Sequence, residues 1–305
     1  EVSSHALSLN RVDDIDFDMG VFTNISHDHL DFHGNMKNYF NTKLKLFKNL
    51  DRNATAIING DDEYSKEIID NITCDYLTYG FNKQFNLYVK SYNLDINGTE
   101  ITFNLEGEEF QIKTELIGRF NIYNIMGSIL ASWKIGLDIN QIQYALKNFK
   151  RVPGRFEKFK LKNKNNAIVD YAHSPDSFEN ILSNINNLTK KDIITVFGCG
   201  GNRDKTKRSK MGAIAEKYSS YIYITNDNPR FENEDSIIND IIKGLKNKNY
   251  SIIKDRTKAI HEILQKHNNK IIVILGKGRD DYQIIKDNKK YHSDIGIIEE
   301  YLDEN

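Results

Sequence analysis

"IITVFGCGGNRDKTKRSKMG", residues 193–212, sets an apolar, β-branched run, a glycine-rich turn and a charged stretch of helical length end to end. An apolar run bounded by turn residues reads as a buried strand. The order recurs from about residue 165: "AIVDYA" before a helix at 175–187, "IITVFG" before 207–218, "YIYIT" before 234–245, "YSIIKD" before 256–267, then "KIIVILG". Strands alternating with helices of this length predict an α/β domain with a parallel sheet wound on both faces, Rossmann-like, its ligands gathering beyond the strands' carboxyl ends. Unusual loops stand at those ends: "DYAHSPDS", "GCGGNRD", "TNDNPR" and "GKGRDDYQ".

Upstream the pattern differs. "MGVFTNI" (19–25) reads as a buried strand, and "NISHDHLDFHG" (24–34) as the loop leaving it. In "NMKNYFNTKLKLFKNL" (35–50), Met36, Tyr39, Phe40, Lys43 and Phe47 recur at spacings of three and four, which embeds a lysine in one apolar helical face. A strand at 54–58 and a helix near 62–71 follow. Alternation from 74 to 115, with turn signals "NG" at 97–98 and "EG" at 106–107, predicts a small β meander. After helices at 120–136 and 139–149, "RVPGRFEKF" carries one of three prolines and marks a boundary between domains at 1–150 and 151–305.

With 305 residues, 39% of them apolar, and sixteen Phe and sixteen Tyr, the chain can fill two cores. Forty-two basic against forty-three acidic residues leave no overall field to hold nucleic acid or an anionic membrane, so the expected partners are small molecules. Cys74 and Cys199 stand far apart without metal-ligand spacing, which suits a reducing cytoplasm and argues against structural zinc. No segment approaches eighteen consecutive apolar residues. A cytoplasmic monomer is the expectation.

His27, His29 and Asp31 come close to the HxHxDH signature of dinuclear zinc hydrolases, but Phe32 stands where a further histidine is required. The plain alternative is a polar loop capping a strand. Lys43 on an apolar stripe would ordinarily snorkel its ammonium to water. Burial offers it other chemistry: a desolvated lysine has a lowered pKa, and the neutral amine can take up carbon dioxide as a carbamate, a hard oxygen donor suited to Mg²⁺. "GCGGNRD" competes as a dinucleotide fingerprint, yet Arg203 occupies the third glycine position of GxGxxG, which disfavours a dehydrogenase.

"EVSSHALSLNRV", "FTNISHDHLDFHG" with "YFNTKLKLF", "GRFNIYNIMGSILAS", "RVPGRFE", "VDYAHSPDS", "GCGGNRDKTKRSKMG" and "DNPR" occur in the order and spacing of the Mur ligases. Over its whole length the chain resembles that family, most closely the branch that adds 2,6-diaminopimelate to UDP-N-acetylmuramoyl-L-alanyl-D-glutamate. The resemblance implies that 1–150 is the C-terminal part of a central ATP-binding domain and 151–305 the Rossmann-like C-terminal domain. It implies an ATP-dependent amide ligase working through an acyl phosphate in peptidoglycan precursor synthesis.

Site residues follow from the same resemblance. Glu1, His29 and a carbamylated Lys43 would hold Mg²⁺ around the ATP phosphates, supported by His27, Asp28, Asp31 and His33. Asn124, Arg155, Asp170 and His173 match adenine, ribose and phosphate contacts. Ser3 and Arg11 match positions near the uridine nucleotide, in a loop where Leu9 replaces a polar residue of some relatives. Arg203, Asp227, Asn228, Pro229, Arg230, Gly276 and Asp280 would receive the amino acid. A planar guanidinium at Arg230 can answer the extra carboxylate of diaminopimelate with two parallel hydrogen bonds, which favours a diacid over lysine. Diaminopimelate-adding members usually carry GKGHEDYQ, whereas "GKGRDDYQ" has Arg279 for His and Asp280 for Glu, one methylene shorter; a longer diamino diacid such as lanthionine is an expected alternative substrate.

Other readings stay open: a lysine-adding ligase or a relative of folylpolyglutamate synthetase, or a non-catalytic nucleotide-binding remnant. The chain opens at Glu1 without Met and contains no GxxxxGK[ST] phosphate loop. The resemblance therefore carries the expectation that such a loop and a UDP-gripping domain precede Glu1, and that this stretch alone is inactive.

Overall fold

The computed structural model describes residues 1–26, 29–95, 98–149 and 152–304, the Asp31 side chain excepted. Two compact units, 1–150 and 151–305, divide the chain. His27, Asp28, Asn97 of the "NG" signal and Arg151 of the boundary stretch lie outside the described residues.

The first unit runs α1 (Ser4–Ser8), β1 (Met19–Phe22), α2 (Leu30–His33), α3 (Met36–Lys48), β2 (Thr55–Asn59), α4 (Ser65–Ile69), β3 (Asp75–Gly80), β4 (Leu87–Asp95), β5 (Gly98–Leu105), β6 (Glu108–Thr114), α5 (Arg119–Lys134) and α6 (Ile139–Asn148). Its strands form one sheet in sequence order, parallel from β1 to the start of β4 and antiparallel from β4 to β6. This corrects the expected meander. Only β4 to β6 meander, whereas β3 pairs in parallel with β2, because helix α4 returns the chain to the same edge. β1 stops at Phe22, short of the expected residue 25. Asn59 Nδ2 donates to the Thr23 carbonyl at 2.7 Å and Ile25 N donates to Asp62 Oδ2 at 3.2 Å, so side chains at the end of β2 and just beyond it hold the segment that a longer ladder would have held.

Side chains alternate across the sheet, and consecutive residues of β2 feed opposite cores. Ile57 packs with Tyr79, Phe103, Met126 and Ile129 on the α5 face. Ile58 packs with Phe40, Leu44 and Phe47 on the α3 face. α3 starts where Asn35 accepts a hydrogen bond from Asn38 N, and α6 where Asp138 and Gln141 make a reciprocal capping box.

The second unit runs β7 (Glu157–Lys160), β8 (Asn166–Asp170), α7 (Pro175–Leu188), β9 (Ile193–Phe197), α8 (Thr206–Tyr218), β10 (Tyr221–Ile224), α9 (Glu234–Ile242), β11 (Tyr250–Ile252), α10 (Arg256–Lys266), β12 (Ile271–Leu275), β13 (Tyr282–Ile285), β14 (Asn288–Tyr291) and α11 (Asp294–Glu304). The main sheet has the order β11-β10-β9-β12-β8-β7, parallel except for β7, which runs antiparallel at the edge. The five parallel strands are those expected from the repeating pattern. β12 inserts between β8 and β9, so the loops leaving β8, β9, β10 and β12 rise at neighbouring carboxyl ends, where ligands of such sheets bind. Among the described residues no helix is long and apolar enough to cross a membrane.

Candidate functional site

In the first unit the segment Glu1–Leu9 meets α2 and α3. Ser3 caps α1 by accepting from Ala6 N at 3.1 Å, and buried His33 bonds Ser4 Oγ at 2.9 Å. The His5 ring stands edge-on to His29 at 5.1 Å. His29 itself takes a left-handed conformation, φ 54°, and its ring lies 6.0 Å from that of Tyr39. One turn further along the same face of α3, half-buried Lys43 donates to the Val2 carbonyl at 3.1 Å. Burial lowers the Lys43 pKa from its ordinary value, against the opposing pull of the Glu1 carboxylate. Among the described residues no group of three or more His, Cys, Asp or Glu is gathered to hold a metal ion. A carbamate on Lys43 would add oxygen donors near the Glu1 carboxylate, the kind of ligand that suits Mg²⁺, and desolvation of the amine favours the neutral form from which a carbamate is made.

Asn124 is exposed on α5, with Nδ2 donating to Asn121 Oδ1 at 3.1 Å. Arg11 is exposed beyond α1, as is Leu9.

In the second unit Asp170 ends β8, nearly buried. Its two oxygens accept from Phe156 N and Ala172 N, each at 2.8 Å. Burial raises its pKa, while those two N–H groups and the charges of Arg155 and His173 oppose the rise. Asp170 thus organises the two segments that carry exposed Arg155, whose guanidinium lies 5.2 Å from the Tyr171 ring, and exposed His173.

The loops after β9, β10 and β12 are knitted together. Gly201 N donates to Asn228 O at 2.9 Å, and a Cβ on Gly201 would fall 1.9 Å from the Pro229 carbonyl oxygen, so the two backbones touch only because residue 201 is glycine. Arg230 holds φ 52°, an unusual conformation for a side-chain-bearing residue, clamped by hydrogen bonds from its N to Ile284 O and from Lys286 N to its own carbonyl. Its Nη1 donates to Gly201 O at 3.0 Å and Asn228 O at 3.4 Å. Nε and Nη2 make no hydrogen bond among the described residues, which leaves one edge of the guanidinium for a ligand. Arg203 is exposed on the neighbouring loop. Gly276 takes φ 112°, with Asp227 Oδ2 3.0 Å from where its Cβ would stand. Asp280 is half-buried, and burial raises its pKa against the pull of Lys277.

A model of the Mur ligase middle domain matches residues 1–132, and one of the Mur ligase, glutamate ligase domain matches residues 154–278. The chain belongs to the Mur ligase family. Mur ligase relatives named UDP-N-acetylmuramoyl-L-alanyl-D-glutamate--2,6-diaminopimelate ligase include those of Syntrophomonas wolfei, 43% identical over 99% of this chain and 63% of theirs, and Aquifex aeolicus, 43% identical over 99% and 62%. The chain thus spans about 63% of the length of the curated relatives it matches. A solved structure with the same printed name superposes with a TM-score of 0.65 at 28% identity, covering all of this chain and 64% of that one. Thermotoga maritima MurF in complex with ADP has a TM-score of 0.74 at 17% identity, over 99% and 66%, which is likeness of fold.

Several polar residues that shape this Mur ligase's second unit are silent in a reading by pattern. Arg208 is fully buried on α8 and forks Glu232, Nη1 to Oε1 and Nη2 to Oε2 both at 2.8 Å, while Nη2 also reaches the Gly200 carbonyl at 3.1 Å. That fork holds the Glu232 carboxyl well below its usual range. Arg279 makes a second fork to Glu157, Nε to Oε2 at 3.0 Å and Nη2 to Oε1 at 2.6 Å. The loop bearing Asp280 is thereby tied to the segment bearing Arg155. Only the glycine-rich context of Arg208 and the oddity of Arg279 were available as signals.

Proposed function

We propose that the complete protein is an ATP-dependent acid–amino-acid ligase. It joins meso-diaminopimelate, or a close diamino diacid such as lanthionine, to the γ-carboxylate of the D-Glu in UDP-MurNAc-L-Ala-D-Glu, a cytoplasmic step of peptidoglycan precursor synthesis. The names of the 43% identical relatives support this reading. The single observation that carries the choice of a diacid is Arg230: Nη1 is anchored to two backbone carbonyls, and the Nε/Nη2 edge is left in the geometry that accepts a carboxylate bidentately.

In this reading the D-Glu carboxylate attacks the γ-phosphorus of ATP, ADP leaves, and the amino group of the third residue attacks the acyl phosphate carbon. Phosphate leaves from the tetrahedral adduct as the amide forms. Asn124, Arg155, Asp170 and His173 hold the nucleotide, and Ser3 and Arg11 the uridine substrate. Arg203, Asp227, Asn228, Pro229, Arg230, Gly276 and Asp280 line the amino-acid site, with Asp280 answering the distal ammonium. Glu1, His29 and carbamylated Lys43 would hold Mg²⁺, which when bound screens the phosphate oxygens during transfer. Fixing both reactants converts a bimolecular encounter into a positioned one.

Competition kinetics test the specificity. With the complete protein, kcat/KM for diaminopimelate and for lanthionine should each exceed that for lysine by at least ~10²-fold, because a site built to bond a polar group rejects the analogue that lacks it. Equal use of lysine would contradict the assignment of Arg230.

A further inference from the structure

Lys277 is a charged residue with no solvent exposure, and nothing in the proposed reaction uses it. It leaves β12 directly behind the "DNPR" loop. Its Nζ donates to Tyr282 O at 2.6 Å and to Asn228 Oδ1 at 3.1 Å, and Asp227 Oδ1 lies 3.4 Å away. Burial lowers its pKa, while Asp227 pulls the other way.

The contact to Asn228 determines what that side chain offers a ligand. An amide has one acceptor end and one donor end. Asn228 Oδ1 already accepts from Lys277 Nζ and from Ile284 N at 2.9 Å, so the acceptor end is committed to the interior. Rotating the amide by half a turn would set its NH₂ against the Lys277 ammonium and the Ile284 N–H, donors facing donors. The Nδ2 end therefore points the other way, and it makes no hydrogen bond among the described residues. Asp227 neutralises the lysine charge without competing for the amide.

We propose that Lys277 is a positioning residue for amino-acid recognition: it fixes the amide of Asn228 as a hydrogen-bond donor, so that Asn228 Nδ2 and the free edge of Arg230 together present donors to a carboxylate of the incoming diacid. This rests on the ligase reading of the site. It also gives the buried cation a purpose, since an apolar residue of similar length would fill the same space while leaving the amide held by the Ile284 N–H alone.

The readout is the ratio of kcat/KM for diaminopimelate to that for lysine, which is independent of how much of a variant folds. Lys277→Met in the complete protein is expected to lower this ratio about tenfold, the scale of one hydrogen bond to a charged group, while KM for ATP stays within about twofold because ATP binding does not involve this amide. Should Lys277→Met fail to fold, Asn228→Asp carries the test, since the isosteric carboxylate keeps both interior bonds. It turns an acceptor with negative charge toward the ligand, and the same ratio should fall by at least about tenfold. An unchanged ratio in Lys277→Met, or an unchanged or raised ratio in Asn228→Asp, overturns the inference alone. A wild-type protein that ligates neither amino acid overturns the function and this inference with it.

Discussion

Replacing Lys43 by Ala or Arg in the complete protein is expected to lower ligation roughly 10²–10³-fold, the scale on which removing a group that stabilises developing charge acts. The argument begins with the site's electrostatics. Among the described residues half-buried Lys43 has only the Val2 carbonyl as its hydrogen-bond acceptor, and burial depresses its pKa. Desolvation shifts the amine toward its neutral form, the form that takes up carbon dioxide. Arginine preserves positive charge and length but stays protonated and cannot form the carbamate. Both variants should therefore lose activity alike, and acetate or formate should restore part of it to Lys43→Ala by filling the vacated space with a carboxylate. An arginine variant as active as wild type would show that the positive charge, and not its exchange for a negative one, is what the site uses.

Asp294→Ala is expected to destabilise the second unit by roughly 3–5 kcal/mol, because it leaves a buried guanidinium without its counter-charge. Arg256 and Asp294 are both fully buried at the side chain and fork each other, Nε to Oδ1 at 2.8 Å and Nη2 to Oδ2 at 2.6 Å. Arg256 Nη2 also reaches the Leu275 carbonyl at 3.0 Å, and His292 Nε2 meets Asp294 Oδ1 at 2.7 Å. The pair thus fastens the first turns of α10 and α11 to the end of β12. Removing the aspartate leaves Leu275 O as the guanidinium's remaining acceptor among the described residues.

The same pair sets an acid dependence. Burial opposes ionisation of Asp294, but the charge and hydrogen bonds of Arg256, with those of His292, hold its carboxyl well below the usual range. Because the folded state releases this proton more readily than the unfolded chain, the stabilisation is complete above about pH 5 and is lost as pH falls through the folded value. Urea midpoints should therefore drop further between pH 7 and pH 3 in wild type than in Asp294→Asn, whose contribution no longer titrates. Equal drops would place the acid sensitivity elsewhere.

What could be read in the chain follows from where the information is local. The strands from "AIVDYA" to "KIIVILG" are short apolar runs between helices, and each sits where the pattern puts it. β7 was not legible because "EKFK" is half polar and gains its register only from β8. The hairpin of β13 and β14 was hidden for the same reason: "NKKY" is wholly exposed. β3 carried the alternation of a meander, and only pairing with β2, a non-local fact, makes it parallel. At the site, the loops could be quoted from the chain because glycine, proline and charge cluster there. Arg208, Arg256 and Lys277 could not be recognised as interior residues, since charged side chains are ordinarily surface and their burial depends on partners 24 to 49 positions away.

The most direct test of the ligase assignment is a mass balance on the complete protein supplied with ATP, UDP-MurNAc-L-Ala-D-Glu and meso-diaminopimelate. The account predicts one ADP, one phosphate and one nucleotide-linked tripeptide per turnover, with no tripeptide when any one substrate is withheld. ATP consumption that yields no new amide would contradict it.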